Sequence, residues 1–281
     1  MSPVQKRRIK TSDGVELNLL ESGTGPALLL VHGWSQTAAL FRPQLEGLAS
    51  HYRVLALDLR GHGESENAPS GYRLSRLAMD VHEVLEQLGL DAVHVLGHSM
   101  GNAVFWSHWE LFGRDRFTKM IIAEEPLTLM ARPAWSAEKR AQAGCLAEPD
   151  EMARNCDALE GADAEAFAAD FVEGMLSSRV SKEDRRFIVE QNLLLPRPAA
   201  SALLQSASTD DWRDLVPRID IPALIIAGKA SLVPTASQRW IHRNIKGSKL
   251  IEFEEEEGGY HFMFWENPEK FNQCVIDFLG D

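Results

Sequence analysis

The chain has 281 residues, 44% of them hydrophobic, and carries 29 Lys and Arg against 41 Asp and Glu, a net charge of -12. That composition fits one globular α/β core with an insertion, and the acidic balance argues against nucleic acid or an anionic membrane as a partner. Cys145, Cys156 and Cys274 lack paired spacing, which argues against a disulfide framework and for a reducing compartment. The longest apolar run, Ala27 to Val31, is far too short to span a bilayer, and no apolar signal core follows Lys6, Arg7 and Arg8, so a soluble, cytoplasmic protein is expected.

Residues 6 to 20 alternate loosely around Ser12-Asp13-Gly14, the pattern of a hairpin. Ala27 to Val31 is continuously apolar, as a strand buried on both faces would be. His32-Gly33-Trp34 follows directly. Phe41 to Ser50 reads as a helix and Arg53 to Asp58 as the next buried strand, closed by Leu59-Arg60-Gly61-His62-Gly63-Glu64-Ser65. Leu74, Leu77, Ala78, Val81, Leu85 and Leu88 repeat at helical spacing. Then comes Val93-His94-Val95-Leu96-Gly97-His98-Ser99-Met100-Gly101, an apolar run, a serine between two glycines, and a helical stretch beyond.

A serine hydroxyl becomes a useful nucleophile when a base reaches it and the turn projects it clear of the backbone. A sharp strand-to-helix turn does this but leaves no room for side chains two residues before and after the serine. Gly97 and Gly101 meet that requirement. Lys119 to Ala123 forms the next predicted strand, ending at Glu124-Glu125-Pro126. Helical patterns dominate from Leu127 to about Ser208, over 138–146, 164–176, 182–193 and 200–208. Sheet patterns resume at Ala223 to Gly228 and Lys249 to Phe253, with helices over 238–244 and 267–279. The four glutamates from Glu254 to Glu257 read as a solvated loop. Alternating strands and helices with short connections imply a parallel sheet covered on both faces.

In order, the His-Gly-Trp segment, the D-x-R-G-H-G-x-S string from Asp58, the G-x-S-x-G turn and Gly258-Gly259-Tyr260-His261 resemble the α/β-hydrolase fold family. The resemblance covers nearly the whole chain. It implies an α/β fold with a mostly parallel central sheet, a core over 1–126 and 209–281, and a helical cap inserted over 127–208. It also implies Ser99 as nucleophile, His261 as base, and the backbone N–H groups of Trp34 and Met100 as an oxyanion hole. Asp58, Arg60 and His62 read as scaffold and His98 as packing under the turn. His32 is favoured as a structural histidine, and it stands with Trp135 and Phe262 as a candidate pocket residue. Met152, Phe167, Phe171, Met175 and Trp212 would pack the cap on the core or line the same pocket.

The acid departs from the family pattern. Its usual place is the fourth position of Gly228-Lys229-Ala230-Ser231-Leu232-Val233-Pro234, and that position is Ser231. A neutral hydroxyl does not stabilise an imidazolium as a carboxylate does. Haloalkane dehalogenases and cofactor-free quinolone dioxygenases of this superfamily carry the acid on the loop after the strand that follows the nucleophile helix. Here that loop offers Glu124, with Glu125 as the alternative acid. The expected function is a serine hydrolase for a small-to-medium ester, lactone or cleavable ketone. It needs no cofactor or metal, takes a small-molecule substrate, and leaves homo-oligomerisation open. A cofactor-free dioxygenase of a hydroxylated heteroaromatic and a non-catalytic hydrolase-fold receptor are the competing readings. An aspartate nucleophile is absent, which argues against a dehalogenase. An unperturbed imidazole would set the acidic limb of activity near about 6.5.

Overall fold

The computed structural model describes residues 3–280; Met1, Ser2 and Asp281 lie outside the described residues. The predicted hairpin is present: β1 (Gln5–Lys10) and β2 (Glu16–Ser22) pair antiparallel around Gly14, whose φ of 92° suits a residue without Cβ. β3 (Ala27–Val31), β4 (Arg53–Leu57), β5 (Val93–His98), β6 (Phe117–Ala123), β7 (Ala223–Gly228) and β8 (Lys249–Phe253) follow. The sheet has eight strands in the order β1-β2-β4-β3-β5-β6-β7-β8, parallel from β4 through β8. β2 joins β4 antiparallel.

Alternate residues of the central strands feed two separate cores. Leu29, Val31, Leu55, Leu57 and Val95 pack on one face, against α2 (Leu74–Gln87) and α3 (Met100–Phe112). Leu28, Leu30, Val54, Ala56 and Leu96 pack on the other, with α1 (Arg42–Gly47) and, beyond the last strand, the closing helix. This two-sided burial is why the strands read as unbroken apolar runs instead of alternating ones.

Between β6 and β7 lie five helices: α4 (Ala137–Ala143), α5 (Pro149–Glu160), α6 (Ala164–Glu173), α7 (Lys182–Asn192) and α8 (Arg197–Thr209). Four of them match predicted segments. α5 was not expected, because its exposed face makes the sequence look like a Pro-punctuated loop. Pro149 in fact sits in its first turn, where no backbone N–H is needed, and Glu148 with Glu151 forms a capping box. α9 (Thr235–Asn244), α10 (Met263–Glu266) and α11 (Pro268–Gly280) complete the chain. The Glu254–Glu257 stretch faces solvent, as expected, and within it Glu255–Glu257 forms a short 3-10 turn with its own capping box. Among the described residues no helix is long and apolar enough to cross a membrane.

The insertion is latched to the loop after β3. Trp34 Nε1 donates to the Ala200 carbonyl at 2.9 Å, Ser35 Oγ to the Asn192 carbonyl at 2.8 Å, and Thr37 Oγ1 to Gln191 at 2.7 Å. Arg197 reaches back to both Ser35 Oγ (3.0 Å) and the Asn192 carbonyl (2.7 Å).

The D-x-R-G-H-G-x-S string is scaffold, as read. Asp58 accepts from Ala38 N–H at 2.7 Å, Asn18 Nδ2 at 2.8 Å and Glu64 N–H at 3.1 Å. Arg60, 1% exposed, forks onto Asp80, 0% exposed, through Nε (2.6 Å) and Nη2 (2.7 Å). Arg76 also holds Asp80, at 2.8 Å. Stripping one partner from a buried pair costs about 3–5 kcal/mol. Because Arg76 remains, Arg60→Met is expected near about 3 kcal/mol, the lower end of that range. Urea unfolding measures it, and a loss below about 1 kcal/mol would be the value of a surface pair instead.

Candidate functional site

β5 ends at His98 and α3 begins at Met100, which leaves Ser99 to make the turn alone. Its backbone is forced to φ 51°, ψ −133°, a region that costs a residue with a side chain about 1–3 kcal/mol. The glycines are required on both sides. A Cβ on Gly97 would lie 2.4 Å from Asn102 Oδ1, and one on Gly101 would lie 2.1 Å from the Val31 carbonyl oxygen. Asn102 Nδ2 ties the turn to the Gly97 carbonyl at 2.9 Å. Met100 N–H stands at the first position of α3, where helical N–H groups have no partner within the helix. Among the described residues neither it nor the Trp34 N–H donates to a protein acceptor. Trp34, Ser99 and Met100 all border one cavity.

His261 enters that cavity from the turn between β8 and α10. His98 holds it in place: His98 Nε2 donates to the His261 carbonyl at 2.8 Å, and Nδ1 meets the Gln36 side-chain amide at 3.0 Å. The buried His98 therefore braces the loop under the turn, as its sequence position implied.

Glu124 closes the set. It follows β6 with φ 59°, a left-handed kink that is rare for a residue with a Cβ. Its N–H donates to the Ile226 carbonyl at 3.2 Å, which holds it alongside β7. The carboxylate is fully buried. Oε2 lies 3.4 Å from His261 Nδ1, and Oε1 accepts from Gly228 N–H at 2.6 Å. Ser231 stands beside it as well, and its hydroxyl favours the ionised form. Burial raises Glu124 to about 8 despite the Ser231 and Gly228 hydrogen bonds, which pull the other way. Burial likewise lowers His261 to about 3. Each group alone is thus pushed toward its neutral form, while the Gly228 N–H and the Ser231 hydroxyl support the ionised carboxylate.

The structure brings Glu124, not Glu125, to His261. Glu125 lies on the cavity wall, and its backbone carbonyl accepts from Gln238 Nε2 at 2.7 Å. Ser99 and His261 share the cavity, but among the described residues no hydrogen bond joins the Ser99 hydroxyl to the ring. Such contacts are commonly long until a substrate closes the site. The cavity holds about 660 Å³ of atom-free space, its open mouth included. Its walls are mostly apolar, and Trp34 and Phe171 meet edge-on across it with ring centroids 5.8 Å apart.

Phe262 lines the cavity. The expectation for His32 and Trp135 is corrected, since neither borders it. His32 is fully buried, its Nδ1 against the Gly33 carbonyl (2.9 Å) and its Nε2 accepting from Leu59 N–H (3.1 Å). Trp135 carries Arg132, Lys139 and Arg213 over its ring at 4.4 to 5.4 Å, which holds it on the outer side of the insertion. Of the other aromatic and methionine candidates, Phe171 and Met175 reach the cavity; Met152, Phe167 and Trp212 do not. Sequence reasoning missed Gln36 and Asn192, which also line it. Neither belongs to a recognisable pattern. Among the described residues no cluster of His, Cys, Asp and Glu could hold a metal ion.

A hydroxyl on a strained turn, an imidazole braced by a carboxylate, and two unengaged N–H groups beside one apolar cavity are the parts that nucleophilic acyl chemistry requires. A family model described as the alpha/beta hydrolase fold matches residues 26–268. The chain is 28% identical to a pimeloyl-[acyl-carrier protein] methyl ester esterase from Aeromonas hydrophila, over 92% of this chain and 97% of that one. It is 27% identical to a putative non-heme chloroperoxidase from Synechocystis, over 96% and 97%. An esterase structure from Exiguobacterium antarcticum superposes with a TM-score of 0.89 at 25% identity, over 99% of this chain and all of that one. The chain belongs to the α/β-hydrolase fold family.

Proposed function

We propose that the protein is a serine hydrolase that cleaves a small-to-medium ester or lactone through an acyl-enzyme. The observation that carries this reading is the buried Glu124 carboxylate 3.4 Å from His261 Nδ1, on the same cavity as the strained Ser99. The similarity to esterases over nearly the full chain supports it. Ser99 Oγ attacks the carbonyl carbon while its proton passes to His261 Nε2. The carbonyl oxygen takes the developing negative charge against the N–H groups of Trp34 and Met100, each worth about 3 kcal/mol in the transition state. His261 then gives its proton to the departing oxygen. Water, deprotonated by the same imidazole, attacks the acyl carbon and releases the acid and Ser99. Glu124 keeps the ring turned so that Nδ1 carries the proton and Nε2 is free. Residues 127–208 act as the cap that shapes the substrate pocket.

Placement of the acid after β6 also suits a cofactor-free dioxygenase, in which a histidine–acid dyad deprotonates an aromatic hydroxyl. The two readings separate at Ser99. A fluorophosphonate probe is expected to label the wild type and not Ser99→Ala; a folded wild type that resists the probe and takes up oxygen with a hydroxyquinolone would establish the dioxygenase instead.

Glu124→Gln is expected to lower kcat about 10²- to 10⁴-fold while thermal unfolding stays cooperative. A silent Glu124→Gln, with Ser231→Ala inactivating, would reassign the acid.

The pH profile follows from the same pair. With Glu124 raised to about 8 and His261 lowered to about 3, the pair still holds one proton at neutral pH. That proton, on either partner, leaves Nε2 carrying a hydrogen and unable to accept from Ser99. Activity is therefore expected to rise as pH passes through about 8, not about 6.5. Ser231→Ala removes a donor that favours the carboxylate and should move this limb to still higher pH. A limb at or below about 6.5 in kcat/KM would mean that the donors, not burial, set the pair's titration.

A further inference from the structure

Glu125 is only 5% exposed and lies on the cavity wall, one residue beyond the acid that meets His261. Among the described residues its side chain has no hydrogen-bond or ion-pair partner; only its backbone carbonyl is engaged. Its carboxyl oxygens are not among the sealed, partnerless polar atoms of the interior, so they open onto the cavity. The cavity's other polar groups have other roles or partners: the Trp34 and Met100 N–H groups face the reacting centre, and the Gln36 and Asn192 side-chain oxygens already accept bonds from Gly33 N–H and Arg197. Ser99 and His261 are the reacting pair, Gln36 meets His98, and the Asn192 carbonyl takes Ser35 and Arg197. No lysine or arginine lines the space.

A carboxyl left without a partner in an apolar wall is costly, and a folded protein tolerates one where a ligand satisfies it. With no cation nearby, burial holds Glu125 well above the usual carboxylate range and keeps its proton on. A neutral carboxyl both donates and accepts one hydrogen bond, which a hydroxyl matches and a hydrocarbon does not.

We propose that Glu125 is a specificity residue that receives a hydroxyl group of the substrate, away from the scissile carbonyl. The substrate class is then a hydroxylated ester, with the rest of its acyl part apolar. This deepens the serine-hydrolase reading and rests on it for the position of the scissile bond.

The test reads binding, so that it does not depend on turnover. In a Ser99→Ala background, dissociation constants are measured for methyl alkanoates and for a series with one hydroxyl moved stepwise away from the ester. With Glu125 present, one position in the series is expected to bind about tenfold tighter than its plain counterpart. Glu125→Met should abolish that preference, and Glu125→Gln, which keeps both a donor and an acceptor, should retain most of it. If no position gains more than twofold, or if the preference survives Glu125→Met, the proposal is overturned. Should Glu125→Met fail to fold, loss of the preference in Glu125→Ala and its retention in Glu125→Gln decide the matter in the same way. Failure of the fluorophosphonate reaction at Ser99 would strike the hydrolase reading alone, because these affinities are measured without the Ser99 hydroxyl.

Discussion

The site depends on burying one carboxylate at the end of β6 and surrounding it with donors. Removing an ion from water costs several kcal/mol even after relaxation. Glu124 offsets that cost with the Gly228 N–H, the Ser231 hydroxyl and the His261 ring. Each donor comes from a different place: the end of β7, the loop after it, and the turn after β8. One carboxylate therefore joins three segments at the carboxyl edge of the parallel sheet, where ligands of such sheets bind. The left-handed backbone at Glu124 is the local strain that this arrangement carries.

Under the proposed mechanism, the relocation of the acid is a short step in space. β6 and β7 are adjacent strands, with Ile122 beside Ile225 and Ala123 beside Ile226. A carboxylate rooted at the end of β6 and one rooted on the loop after β7 approach the same histidine from neighbouring positions. Ser231 occupies the second position and donates to the first. On the proposed reading, the place the family pattern gives the acid is here held by a residue that supports it.

The sheet was legible because burial on both faces leaves continuous apolar runs, and the Ser99 turn because only glycine fits where a Cβ would meet backbone at 2.1 Å. Both signals are local. Glu124 could be inferred only by subtraction, from the hydroxyl at Ser231 and two glutamates one strand away. Strand-end phase favoured Glu124 over Glu125 in the sequence, and the left-handed backbone at Glu124 is the feature that only the structure shows. Trp135 and His32 show the opposite limit. An indole near a pocket and a histidine at a strand end are right in type for a binding site, yet Trp135 is held outside by three cations and His32 is spent on loop hydrogen bonds. Gln36 and Asn192 escaped notice because a polar residue reaches a cavity through tertiary packing that no spacing encodes.

Glu124 and Glu125 show how little sequence separates two chemical roles. They are consecutive, identical in type and both buried. One meets donors from its own chain; the other meets none and opens on the cavity. Under the proposed mechanism, the first must lose its proton to orient the imidazole, and the second must keep its own to meet an uncharged substrate. A site that asked both to ionise would place two negative charges on adjacent residues in an apolar wall, with no cation to separate them. Unequal hydrogen bonding removes that conflict, because it lowers the cost of charge at Glu124 alone.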